Sequence, residues 1–151
     1  MAGTRAVEAV CNAVVDVLRD ATPKGLEIQV TSDLQQPLTQ GVSLFVYRIL
    51  VDRTQRMPGG GLPLELHFLL TAWGRDAAAQ NAVAGWMMRA LEDTPLLTPD
   101  GFGPDERVEV VAGDLDTADL LRLWAPGTYR LSIPYMARGV RIDATGLSGR
   151  A

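Results

Sequence analysis

The segment Leu62–Leu97, LPLELHFLLTAWGRDAAAQNAVAGWMMRALEDTPLL, constrains the fold more than any other part of the chain. It begins by alternating. Leu64, Leu66, Phe68, Leu70 and Ala72 share one face, and Glu65, His67, Leu69, Thr71 and Trp73 share the other. A period of two demands an extended strand, because successive side chains point to opposite faces. The pattern breaks at Gly74–Asp76. From Ala77 to Glu92 the apolar residues Val83, Trp86, Met87, Ala90 and Leu91 then recur at helical spacing. Asp76 is placed to cap this helix, and Pro95 and Pro99 stop it from continuing. A strand and its covering helix require a sheet with helices packed on it.

The remaining segments extend that plan. Between Thr4 and Asp20, Val7, Val10, Cys11, Val14, Val15 and Leu18 fall on one face of a helix, with Thr4 as N-cap and Pro23 and Gly25 at its end. LEIQV, Leu26–Val30, alternates as a strand with one wet face. SLFVYRILV, Ser43–Val51, is apolar on both faces except at Arg48, the pattern of a strand covered on both sides. Asp52–Pro63, with three consecutive glycines and two prolines, reads as a long hairpin connection. RVEVVA is a short strand, Asp114, Asp116 and Thr117 offer caps for a short helix through Trp124, and Thr128–Asp143 is a final β segment in which Pro134 marks a bulge or an edge. The tail from about residue 144 reads as frayed. The expected fold is a single α/β (α+β) domain over residues 1–151, in the order α-β-β-β-α-β-α-β, with a mixed, mainly antiparallel sheet flanked by helices. A chain of this length buries roughly 68–70% of its unfolded surface, enough to fold without disulfides or metal.

Composition narrows the function. Fourteen basic and 18 acidic residues leave a net charge of −4, which argues against nucleic acid as the main partner. No apolar run approaches the roughly 18 residues of a membrane span, and Glu8 and Asp16 interrupt the N-terminal apolar residues, so neither an anchor nor a signal peptide is expected. The expected location is the cytoplasm. Cys11 is the single cysteine, which rules out an internal disulfide.

Candidates for chemistry are few. His67 is the sole histidine, and catalysis there needs a neighbouring nucleophile and an orienting acid. The structural alternative is an imidazole hydrogen-bonded to Glu65 or Thr71. Asp114, Asp116 and Asp119 lack a calcium-loop pattern, and Asp114 and Asp116 suit helix capping. Gly59, Gly60 and Gly61 are not followed by the Lys-Ser/Thr and helix of a phosphate cradle. No cofactor and no metal are expected. Trp124, beside Pro126 at a helix end, is either core or an anchor for a partner. Arg48, Arg53, Arg56, Arg130, Arg138 and Arg141 form the one basic bias, which is either ordinary solvated surface or a match for an acidic partner or neighbouring subunit.

Taken in order, SLFVYRILVDRTQR, LPLELHFLLTAWGRD, GWMMRALEDTPLL, LLRLW and YRLSIPYMARGVRID resemble the N-terminal domain of the cap, or tail terminator, proteins of phage-tail-like contractile injection systems. The resemblance spans roughly Val7–Asp143 and is carried by an LFxYR strand, LPLxLxxLLTAW, and ALxDTPxL after the helix. It implies a tail-terminator-like fold and a six-membered ring on the distal end of the inner tube, stopping tube growth and holding the last sheath layer. It brings no catalytic activity. The implied partners are the chain itself, the tube protein and the sheath protein, within a particle assembled in the cytoplasm and open to release outside the cell. Many members of that family carry a further C-terminal region. On loop position and charge, the expected contacts are Arg53, Arg56, Gly59, Gly60, Gly61, Trp124, Arg138 and Arg141. Two other readings remain: a soluble assembly adaptor or chaperone, and a small-molecule-binding protein or enzyme centred on His67.

Overall fold

The computed structural model describes residues 3–21, 23–52, 54 and 61–143. Helix α1, Ala6–Ala21, buries Val10, Cys11, Val14, Val15 and Leu18 of the predicted stripe, while Val7 is only partly buried. Strands β1 (Glu27–Val30), β2 (Gly41–Val51) and β3 (Leu62–Trp73) follow. Helix α2 (Ala77–Asp93) is capped by Asp76, whose carboxylate accepts from the Ala79 amide at 2.8 Å. Strands β4 (Leu96–Leu97) and β5 (Val108–Ala112), helix α3 (Thr117–Trp124) and strand β6 (Ser132–Ile142) complete the order. Asp116 caps α3 by accepting from the Asp119 amide at 2.8 Å.

The strands form one six-stranded sheet, β1-β2-β3-β6-β5-β4. The β1–β2 pair is parallel and the other four pairs are antiparallel, so the mixed, mainly antiparallel expectation holds. The alternation in β3 does what its period requires. Leu64, Leu66, Phe68, Leu70 and Ala72 sit with the buried faces of α1 and α2 in the larger core. Leu69 and Trp73, on the other face, join Leu34 and Trp124 in a smaller core closed by Leu120 and Leu123 of α3. A single strand thereby anchors two apolar clusters, one on each side of the sheet.

Four expectations need correction. The two-residue strand β4 went unread, because Leu96–Leu97 lies between two prolines and is too short to show a period. β3 begins at Leu62 rather than Leu64. Pro63 is tolerated there because its carbonyl serves the ladder, accepting from the Asp52 amide at 2.9 Å. Trp86 is not on the buried face of α2: it is 40% exposed, and Ala84 is buried instead. Nor is β2 covered on both sides throughout. Residues 41–44 are buried, but Ile49 and Val51 are nearly half exposed.

Two irregularities shape the far end of the sheet. One is a register shift in β2 between Val46 and Arg48. The other lies between β3 and β6, where Gly139 (φ 85°) is the extra residue between Arg138 and Val140. A Cβ on Gly139 would lie 2.8 Å from the Arg107 carbonyl oxygen, so both the left-handed backbone and the close approach require glycine.

Candidate functional site

β1 pairs with β2 only over residues 41–44. Beyond that point β2, β3 and β6 run on together, and from Val46 to Val51 β2 has a pairing partner on one side only, among the described residues. An open strand edge presents unpaired amide and carbonyl groups. Ile49, Val51 and Leu62 lie on the α1/α2 face of this end and are 48%, 46% and 41% exposed. Arg48, Leu50, Glu65, His67, Arg138 and Arg141 lie on the opposite face, as the pairings Arg48–His67, Leu50–Glu65 and Glu65–Arg138 require.

This end also gathers part of the residue set expected from charge and loop position. Gly61 lies against Arg141: a Cβ there would meet the Arg141 Cδ at 2.8 Å. The Arg141 Nε is buried and lacks a hydrogen-bond partner among the described residues. Arg138 is exposed and pairs with Glu109 of β5 at 3.2 Å. Such an exposed pair contributes at most about 1 kcal/mol, so Arg138 is free to exchange partners at low cost. Arg53, Arg56, Gly59 and Gly60 lie outside the described residues.

Trp124 is placed elsewhere. It is 1% exposed, its indole N–H donates to Ser132 Oγ at 3.0 Å, and its ring meets Trp73 and Tyr129 edge-on. Trp73 is held in the same way by Ser43 Oγ at 2.9 Å, with the Arg130 guanidinium 5.9 Å above its ring. Between the two alternatives read for Trp124, the geometry favours core: in this subunit it presents no surface for a partner.

His67 is engaged by Glu65, as the structural alternative expects. Its Nε2 and the Glu65 carboxylate are 2.8 Å apart, and its ring meets Tyr47 edge-on. Cys11 lies across the sheet, buried among the larger core residues under α1. Burial pushes its thiol from 9.0 up to about 11, which leaves it protonated and unreactive near neutrality. The sheet thus separates histidine from thiol, and the arrangement supplies no Cys–His dyad. Tyr47 is raised from the ordinary phenol value by burial and then by the charge of Asp114. Among the described residues no three His, Cys, Asp or Glu side chains are grouped to hold a metal. No helix among them is long and apolar enough to cross a membrane.

The exposed apolar residues of the two sheet edges were missed from sequence: Ile49 and Val51 at one, Met88 and Leu96 at the other. A signal existed for the first pair. The LEIQV strand is about half as long as the apolar run it must lie beside, so half of that run had no neighbour to cover it.

Comparison with known proteins gives a consistent picture. Residues 9–150 match the Pvc16 N-terminal domain. Among solved structures, the PVC sheath/tube terminator of an extracellular contractile injection system, in the extended state, aligns with a TM-score of 0.68 at 21% identity, covering 90% of this chain and 56% of that one. The tube-terminating cap of the anti-feeding prophage aligns with a TM-score of 0.68 at 21% identity, covering 88% of this chain and 53% of that one. The chain therefore spans a little over half the length of these terminators. No curated protein matches the sequence.

Proposed function

The chain belongs to the Pvc16 N-terminal domain family, and from that membership we propose that it is a structural cap for the tube of a contractile injection particle. The carrying observation is the correspondence of 90% of the chain with the fold of a sheath/tube terminator. In this reading six copies close into a ring on the distal end of the inner tube, end its growth and hold the last layer of sheath. Assembly takes place in the cytoplasm, and the finished particle carries the cap with it.

The mechanism is complementarity alone. A growing tube ends in a surface that accepts the next identical ring. A cap must match that surface on one side and fail to reproduce it on the other. Ring closure needs a contact between two different surfaces of the subunit, repeated with a rotation of about 60° for six copies. The corner formed by Gly61 and Arg141, together with Arg138, offers cations for acidic groups on tube or sheath, and the sequence adds Arg53 and Arg56 as further cations, outside the described residues. The rigid two-sided core fixes where that corner points. The engagement of His67 by Glu65 and its separation from Cys11 favour this reading over chemistry at His67.

Electron microscopy of particles made with and without the chain tests the reading. The expected result is density for the chain at one end of each particle, and tubes of uncontrolled length in its absence. Particles of normal length and intact ends without it would refute the cap role and favour a soluble adaptor or chaperone.

A further inference from the structure

The two outer edges of the sheet differ in chemistry and correspond in layout. At the β2 edge, Ile49 and Val51 form an apolar ridge on the face covered by α1 and α2, and Arg48, the only charged residue of β2, and Leu50 lie on the other face. At the β4–β5 edge, a groove of about 390 Å³ opens on the face covered by α1 and α2, where Gly85, Met88, Val110 and Tyr135 line it with the charged Arg89 and Glu92. Gly85 leaves open space in mid-helix: a Cβ there would meet nothing within 4 Å. Met88 is 47% exposed. On the other face of the same edge lie Leu96, 48% exposed, and Glu109, paired in register with each other.

Charge follows the same division. Residues 92–109 contain Glu92, Asp93, Asp100, Asp105, Glu106 and Glu109 against Arg107 alone, six acids to one base. Strand β2 itself carries one charge, the cation of Arg48, and Asp52 follows it. When two sheets meet edge to edge their faces run on from one to the next. The ridge then faces the groove on one side, while Arg48 and Leu50 face Glu109 and Leu96 on the other. Both contacts bury apolar area that the single subunit leaves in water, and Arg48 joins or replaces Arg138, which holds Glu109 at 3.2 Å in an exposed pair of low cost to exchange.

We propose that the β2 edge of one copy, through Ile49, Val51 and Arg48, docks on the β4–β5 edge of the next, into the Met88 groove and against Leu96 and Glu109. The occupant of each edge is a second copy of this chain. Because the two surfaces are different, the contact is head-to-tail and propagates to a ring or a filament rather than stopping at a two-fold dimer. The inference rests on the ring reading given above and specifies which surfaces make the ring.

Two variants separate the surfaces. Ile49→Asp blocks the β2 edge and Met88→Asp blocks the groove. Both positions are half exposed, so the folded subunit tolerates a charge there, and unchanged thermal melts check this. Arg48→Glu repeats the β2 test without touching any apolar packing. Single-particle mass measurement, in solution and on tube ends, is the readout. Wild-type chain is expected to form rings, and each variant alone is expected to lose them. An equimolar mixture of Ile49→Asp and Met88→Asp is expected to give heterodimers and no larger species, since only one competent pair of edges remains. Wild-type rings that persist in the variants, or a mixture that yields no heterodimer, would overturn this inference and leave the ring reading standing. Wild-type chain that stays monomeric under both conditions would overturn the two together.

Discussion

Trp124 and Cys11 show how position decides what a chemically versatile side chain does. Trp124 ends α3 and could have faced outward, but the hydroxyl of Ser132 takes its N–H and Trp73 packs against its ring. A buried tryptophan with a satisfied donor contributes apolar burial without an unpaired polar group. Trp124→Ala should therefore cost about 3–5 kcal/mol, read as a large drop in thermal midpoint. A loss confined to ring formation, with stability unchanged, would place Trp124 at an interface instead. Cys11 predicts a pH effect of definite sign. Its folded-state pKa of about 11 lies above the ordinary 9.0, so between these values the unfolded chain loses the thiol proton first. Folding stability attributable to Cys11 is complete below pH 9.0 and falls as pH rises towards about 11, by about 1.4 kcal/mol per unit. Thermal melts of wild type and Cys11→Ala at pH 8 and pH 10.5 should converge at the higher pH. Parallel curves would contradict the buried thiol. These two positions also mark what was readable residue by residue: the stripe that buries Cys11 is visible in α1, whereas nothing near Trp124 in sequence reveals Ser132 as its partner.

Elements were legible where they repeat a period and obscure where they do not. The long alternation of β3 and the apolar stripe of α1 correspond to the observed elements because each must bury a face, and burial dictates spacing. The strand β4 holds two residues, too few to show any period, and is defined by its pairing with β5. The exposed second half of β2 depends on where β1 stops, which is a property of the sheet and not of β2 itself. The Asp76 and Asp116 caps, in contrast, are local and were legible, since a side chain accepting from the amide three residues on requires only the right residue before a helix; Thr4, expected to cap α1, lies two residues before its start at Ala6. Asp116→Ala should destabilise by about 1 kcal/mol, with the loss concentrated in α3, since that helix has eight residues and few other local supports. Hydrogen exchange resolved by residue would show faster exchange in α3 alone; uniform acceleration or none would count against the cap. Gly139→Ala should be worse than an exposed glycine replacement, because the added methyl meets the Arg107 carbonyl as well as an unfavourable backbone angle. It should lower the melting midpoint, whereas Gly25→Ala, where a Cβ meets nothing within 4 Å, bears only the backbone penalty.

At the scale of the whole molecule, a six-stranded sheet with a core on each side makes a stiff subunit whose edges remain chemically available. Stiffness suits a cap, because a surface that must match a tube end gains from geometry fixed before contact. The chain belongs to the Pvc16 N-terminal domain family and shares its fold with a sheath/tube terminator, and the open end of its sheet carries the exposed apolar and basic residues that the proposed role would use. The most direct test is to polymerise the tube protein of the same particle in vitro and measure tube lengths by electron microscopy as this chain is added. The account predicts shorter tubes at amounts far below one chain per tube subunit, with density for the chain at one end. Tube lengths independent of the chain, with no density at either end, would contradict it.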